Sequence, residues 1–317
     1  MATRWEYTRG LHDLGNGSWA YLQPDGSWGW SNAGLIAGDD CTLLVDTLFD
    51  VPLTREMLNA MRPVTDNLPI RTLVNTHANG DHCWGNELVA DAEIIASTAC
   101  RDEILNGLQP SMLAALAAAE GLGPGVDYLR EHMGRFAFDS VTLTPPTRVF
   151  DKQLTVDVGG KSVELIEVGP AHTRGDVLVY VPEDRTVFTG DILFIDGTPL
   201  MWEGPVANWI GACDRMLEMD VETVVPGHGP VTDKKGVASV RDYLVYIRDE
   251  ARERFDAGLS VADAARDIAL GDFSAWGESE RIAINVDTLF REFSGDTTEP
   301  DVIALFDLLA ALEHRAS

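Results

Sequence analysis

His77, His82, His172 and His228 share one setting: each follows a predicted strand, in a short loop containing glycine or other small residues. His77 and His82 lie in Thr76-His77-Ala78-Asn79-Gly80-Asp81-His82. His172 lies in Gly169-Pro170-Ala171-His172-Thr173, and His228 in Pro226-Gly227-His228-Gly229-Pro230. Asp81 belongs to the first of these loops, and Asp191, in Thr189-Gly190-Asp191, directly follows another predicted strand. A lone loop histidine is more often structural than chemical. Loops at strand ends, however, converge on one edge of a sheet and carry sites. Imidazole nitrogen and carboxylate oxygen are natural zinc ligands, and glycines permit the tight turns that bring them together. Four of seven histidines in this setting, with two aspartates, point to a metal centre rather than to unrelated turns.

In order and spacing, His77, Asp81, His82, His172, Asp191 and His228 resemble the metallo-β-lactamase superfamily, whose pattern is H-x-H-x-D-H, then His, Asp and His. Asp46, after Leu43-Leu44-Val45, matches that family's supporting aspartate. The resemblance covers about residues 17–235. It implies an α/β fold, an αββα sandwich with metals at one edge of two facing sheets. It also implies the ligand sets. One metal would use His77, position 79 and His172; the other would use Asp81, His82 and His228, with Asp191 serving either or bridging both.

The sequence departs from the family pattern at Asn79, where a histidine is expected. An amide oxygen is a weaker zinc ligand than imidazole. One zinc is therefore expected to bind tightly at Asp81, His82, Asp191 and His228, and a second to bind weakly, with Asn79, His77 and His172. The plain alternative for Asn79 is an Asx turn. This variant, with Gly80-Asp81-His82-Cys83-Trp84-Gly85-Asn86, is similar to the subgroup containing the chlorothalonil hydrolytic dehalogenase. The segment Trp276-Gly277-Glu278-Ser279-Glu280-Arg281 suits that subgroup too.

The chemistry implied is hydrolysis. Zinc lowers the pKa of a bound water to about 7, and the hydroxide attacks an electrophilic carbon or phosphorus. Asp81 would ligate the metal and serve as catalytic general base. Trp84, Trp202 and Trp209 are expected to line the mouth and bind substrate, with ordinary core packing as the alternative. Cys83 is read as a bystander, because the hydroxide already supplies a nucleophile. The expected function is a zinc-dependent hydrolase of a small, fairly apolar substrate: a lactone, ester or thioester, amide or haloaromatic. The competing class is a non-catalytic ligand-binding protein with a degenerate metal site, supported by the one lost ligand. A mononuclear iron oxygenase of the same fold would keep the second histidine, so Asn79 counts against it.

Composition narrows the choice. The 317 residues carry 24 basic against 51 acidic side chains, a net charge of −27. Such a surface repels phosphate backbones and anionic lipid, so neither nucleic acid nor membrane is an expected partner. Four cysteines without a C-x-x-C pair disfavour a disulfide scaffold or zinc knuckle. No apolar run reaches the length of a membrane span, and Met1–Tyr7 lacks the apolar stretch of a signal peptide. A cytoplasmic location is the expectation.

The elements that must position these residues follow from periodicity. An early hairpin is expected over 18–30, turning at Pro24-Asp25-Gly26. A second joins Gly34–Ile36 to Thr42–Val45. A helix over Leu53–Met61 should end before Pro63, and a short buried strand, Ile70–Val74, runs straight into the first histidine motif. Glu87–Ala92 reads as a helix and Glu93–Ala96 as a strand. Residues 101–138, rich in Ala, Leu and Met, form a helical insertion and a candidate lid. Strands return at 149–150, 155–158, 162–167, 176–181 and 186–189, then a helix at 206–219 and a strand at Thr223–Val225. Residues 1–235 are thus the expected catalytic domain. Residues 236–317 are expected to be a helical extension that docks on it or builds a homodimer through Ile282, Val286, Leu289 and Phe290.

Overall fold

A computed structural model describes residues 5–316; positions 1–4 and 317, at the outer ends of the two expected segments, lie outside the described residues. The first sheet holds β1 (Gly10–Gly15), β2 (Ser18–Leu22), β3 (Ala33–Ala37), β4 (Thr42–Val45), β5 (Ile70–Val74), β6 (Glu93–Ser97) and β7 (Arg148–Phe150), side by side in chain order. Pairing is antiparallel from β1 to β4 and parallel from β4 to β7. The second sheet holds β8 (Gln153–Val158), β9 (Lys161–Glu167), β10 (Val177–Val181), β11 (Thr186–Phe188) and β12 (Thr223–Val225), antiparallel except for β11 and β12.

Period-two alternation builds the sandwich. Leu43 and Val45 of β4 face Val163, Leu165, Val177 and Val179 of the second sheet. Leu44, between them, points the other way, onto Met57 and Met61 of α1 (Val51–Thr65). The outer face of the second sheet, with Ile166, Leu178, Val187 and Val224, is covered by helices. The result is the αββα arrangement. Its helices continue with α2 (Gly80–Cys83), α3 (Thr98–Asn106), α4 (Pro110–Ala118), α5 (Pro124–Met133), α6 (Val206–Glu218), α7 (Lys234–Asp256), α8 (Val261–Asp267), α9 (Ile282–Ser294) and α10 (Val302–Ala316). None is long and apolar enough to cross a membrane among the described residues.

Three local expectations are corrected. The early hairpin is β1–β2, turning at Asn16-Gly17, both with positive φ (55° and 82°) as tight hairpin turns require. Sequence alternation missed β1 because it is a largely exposed edge strand. Residues 23–32 form instead a loop that reaches the site. Helix α1 runs through Pro63, which falls in its last turn, where only one hydrogen bond is forfeited. Asn86–Val89 is a single 3₁₀ turn rather than a helix over 87–92.

The insertion is tied down. Trp28 Nε1 donates to Tyr128 Oη of α5 (2.9 Å), which donates to Glu280 (2.7 Å). The apolar face of α9 is buried, with Val286 and Leu289 at 0% exposure and Phe290 against Phe255 of α7. That face is covered by the chain's own helices and supplies no reason for a dimer.

Candidate active site

The ligand candidates occupy strand ends. Asp46 follows β4, and His77 follows β5 by three residues, with Asp81 and His82 inside α2. His172 follows β9, Asp191 follows β11, and His228 follows β12. Strands β4 and β5 run parallel, as do β11 and β12. β9 shares the direction of β11, because each is antiparallel to β10. All five therefore deliver their loops to one edge, where Val177 N–H donates to Thr76 O across the two sheets (2.8 Å). Glycine is required at Gly227: a side chain there would occupy the space of Asp191 Oδ1.

Each imidazole has its Nδ1 committed to an oxygen. His82 Nδ1 donates to Asp46 Oδ2 (2.9 Å), His77 Nδ1 to Thr76 Oγ1 (3.0 Å), His172 Nδ1 to Leu200 O (2.5 Å) and His228 Nδ1 to Gly26 O (2.9 Å). This fixes the tautomer and leaves four Nε2 lone pairs facing inward, as second partners of metal-binding histidines do. Asp46 is held at φ 63°, an uncommon conformation for a non-glycine residue. Its carboxylate also accepts from Thr76 N–H and Oγ1 (2.7 Å each), which stabilises that backbone.

The Nε2 atoms surround two carboxylates. His82 Nε2 lies 3.1 Å from Asp191 Oδ1 and 3.9 Å from Asp81 Oδ2. His228 Nε2 lies 3.3 Å from Asp81 Oδ2 and 3.5 Å from Asp191 Oδ2. Ligand atoms about 2.05 Å from a tetrahedral zinc stand about 3.3 Å apart, so these separations fit a shared ion. His77 Nε2, His82 Nε2 and Asp191 Oδ1 are buried without a hydrogen-bond partner, which marks a missing central group. Two sets of ligand atoms could hold a metal: His77, His82 and Asp191, and Asp81, His82 and His228.

His172 belongs to neither set. The Asn79 amide donates to its Nε2 (3.1 Å), and the Asn79 side chain makes no capping bond to α2. The departure from the family pattern therefore occupies a ligand lone pair, rather than forming an Asx turn.

Charge points the same way. Burial disfavours protonation of His82 and His228, but Asp191 and Asp81 outweigh it. They hold His82 well above the ordinary range and His228 up to about 9. His77, buried and facing charged His82, is pushed well below. Burial works against ionised Asp191, yet His228 and His82 keep it an anion. Without metal, two protons offset two carboxylates; a divalent cation supplies the same charge.

The tryptophans are placed differently from expectation. Trp209 is fully buried, with Nε1 donating to Ile192 O (2.9 Å). Trp84 is 3% exposed and packs on Phe49 and Phe138. Neither offers a free face to substrate. Trp202 is half-buried beside the site, its N–H on His172 O (3.2 Å). The Cys83 thiol is buried and pushed well above its ordinary pKa by burial, which leaves it a poor nucleophile.

The cavity beside His228, about 260 Å³, is lined by Asp25, Gly26, Ile195, Asp196, Gly197, Gly277 and Glu278. Sequence reasoning missed these residues. Pro24-Asp25-Gly26 looked like a hairpin turn, and Glu278 lies 50 positions beyond His228. Asp196 and Glu278 both have positive φ (61° and 53°), a strain typical of functional sites.

Comparison with known proteins agrees with this geometry. Residues 26–228 match the Metallo-beta-lactamase superfamily. The chain belongs to that superfamily. The alpha subunit of 2,4-dinitroanisole O-demethylase from Nocardioides sp. is 25% identical over 61% of this chain and 51% of its own length. Acyl-coenzyme A thioesterase MBLAC2 from Bos taurus is 24% identical over 62% of the chain and 72% of its own. The chain thus spans about half the length of the first relative. Among solved structures, the sec-alkylsulfatase Pisa1 from Pseudomonas sp. superposes with a TM-score of 0.66 at 17% identity. That match covers 92% of this chain and 51% of the sulfatase, and it supports the fold alone.

Proposed function

We propose that this protein is a metal-dependent hydrolase of a small, uncharged or cationic substrate. The observation that carries the reading is the ring of inward Nε2 atoms around Asp81 and Asp191, opening on the cavity beside His228. The donor set, imidazole nitrogen with carboxylate oxygen at near-tetrahedral spacing, suits zinc. Bound there, the metal would acidify a water and polarise the bond under attack. Asp191 and Asp46 supply and orient the charge that holds the site together. Asp81, a carboxylate kept anionic by His82 and His228 despite burial, accepts a hydrogen bond from the attacking water and aims it. His172, tied to Leu200 O and Asn79, carries no free donor. It packs the wall of the site.

The substrate class follows from the cavity wall. Three carboxylates line it beside His228, with no lysine or arginine among the lining residues, although Arg281 pairs with Glu278 (3.2 Å). Such a wall repels anions. Sulfate esters and coenzyme A thioesters are anions, so the substrates of those relatives suit this cleft poorly. 2,4-Dinitroanisole, named for the demethylase subunit, is an uncharged, electron-poor aryl ether and fits the charge rule. The Asn79 variant adds haloaromatics to the candidates.

The test uses zinc-loaded protein against lactone, thioester, aryl ester, amide, activated aryl ether and haloaromatic probes, each in neutral, cationic and anionic versions. Turnover of at least one neutral or cationic probe is expected, lost in Asp81→Ala. Turnover of none would favour a non-catalytic binding protein. Preference for the anionic versions would overturn the substrate class.

A further inference from the structure

Four residues of α9 and its leading turn, Arg281, Asn285, Thr288 and Glu292, recur at steps of four, three and four, so they share one face of the helix. Each binds the loop between β11 and α6, in order. Arg281 Nη1 donates to Thr198 O (3.1 Å). Asn285 Nδ2 donates to Pro199 O (2.8 Å), and its Oδ1 accepts from Met201 N–H (2.8 Å). Thr288 Oγ1 donates to Met201 O (2.7 Å), and Glu292 Oε2 accepts from Val206 N–H (2.9 Å). Asn285 is fully buried. It brackets Leu200, whose carbonyl receives His172 Nδ1–H.

Arg281 reaches the other side of the site. Its buried guanidinium lies over Trp28 (4.5 Å) and Phe194 (5.5 Å). Phe194 stacks flat on His228, 5.1 Å between centroids with planes 6° apart. Trp28 lies two residues beyond Gly26, whose carbonyl receives His228 Nδ1–H. One helix face thus holds the loop that carries the acceptor of His172 and, through Phe194 and Trp28, borders His228, in a segment beyond the superfamily match, which ends at residue 228.

We propose that Arg281 is a positioning residue for the metal centre: from the α9 face it aims the proposed ligand His228 through Phe194 and Trp28, while Asn285 and Thr288 hold the wall formed by His172, so the extension is part of the site. The proposal rests on the reading of that site as a metal centre. A plainly structural role would stabilise the fold without setting ligand orientation. Lost second partners of metal ligands typically cost 10–100-fold in metal affinity.

Zinc affinity of the full chain, measured by chelator competition, separates the two. Arg281→Met is expected to bind zinc at least about tenfold more weakly, with Arg281→Lys intermediate, whereas Asn285→Ala, which acts on the His172 wall, should change zinc affinity less than about twofold. Phe290→Ala, which removes packing against Phe255 on another face of α9, should lower Tm with less than about a twofold change in affinity. Should Arg281→Met not fold, Phe194→Leu removes the ring stacked on His228 and is expected to weaken zinc several-fold. Wild-type affinity in the folded Arg281 variants, or an equal loss in Phe290→Ala or Asn285→Ala, would overturn the proposal. Failure of the wild-type protein to bind zinc would instead sink the metal-centre reading.

Discussion

At the residue scale, the proposed metal count turns on Asn79. Its amide sits on His172 Nε2, where a ligand lone pair is needed. Asn79→His should restore a ligand and free that nitrogen, raising zinc stoichiometry from about one per chain to about two by elemental analysis. Asp176 offers a second test. Burial pushes its carboxyl up to about 8, although Thr173 N–H and Oγ1 pull the other way. The unfolded value is near 3.9. The folded state thus binds the proton more tightly. The contribution to stability is complete below about pH 4 and is lost as pH rises through about 8. Each pKa unit is worth about 1.4 kcal/mol, so the loss is at most about 6 kcal/mol. In metal-free protein, urea unfolding from pH 5 to 8 should show falling stability, and Asp176→Asn should flatten the slope. The convergence of these candidate ligands was legible because strand-end loops with His, Asp and Gly form a recurring local pattern. Their outer partners were not. Gly26 O and Leu200 O are backbone atoms, and backbone carbonyls carry no sequence signature.

At the element scale, loops and caps hold the frame. Asp50 caps α1 by accepting from Leu53 N–H (2.8 Å), and its other oxygen accepts from Ala137 N–H (2.8 Å), at the end of the insertion. Asp50→Ala should cost about 1–2 kcal/mol in denaturant unfolding while leaving zinc affinity unchanged. Strands such as Ile70–Val74 and Thr42–Val45 were readable because they are short, apolar and bounded by turns. The loop 23–32 was misread because Pro-Asp-Gly favours a turn in any context; only tertiary packing brings Gly26 to His228. Trp84 and Trp209 differ from expectation for a similar reason. Nearness to ligands in sequence places a side chain near the site, but the direction it faces depends on the partners packed around it. Trp84 turns into Phe49 and Phe138.

At the scale of the whole molecule, a net charge of −27 costs compactness through self-repulsion. Salt screens exposed charges over about 8–10 Å at physiological strength. Tm should therefore rise by a few degrees between low and moderate sodium chloride; a fall would contradict a repulsive surface. The same acidity recurs at Asp25, Asp196 and Glu278 of the cleft, and it underlies the proposal that anionic substrates are disfavoured. Amphipathic periodicity made the helices of the extension visible, but not the polar stripe by which α9 grips the loop 198–206, since isolated polar residues on a helix usually face water. The extension and the sandwich share one apolar cluster, with Trp28, Leu178, Val224, Val286 and Leu309 all in it. The account stands or falls on the metal. Elemental analysis of the purified protein, with anomalous diffraction to place the ion, tests it most directly. One zinc per chain among Asp81, His82, Asp191 and His228 is the predicted result. An ion-free centre in zinc-saturated crystals, or two fully occupied ions, would contradict it.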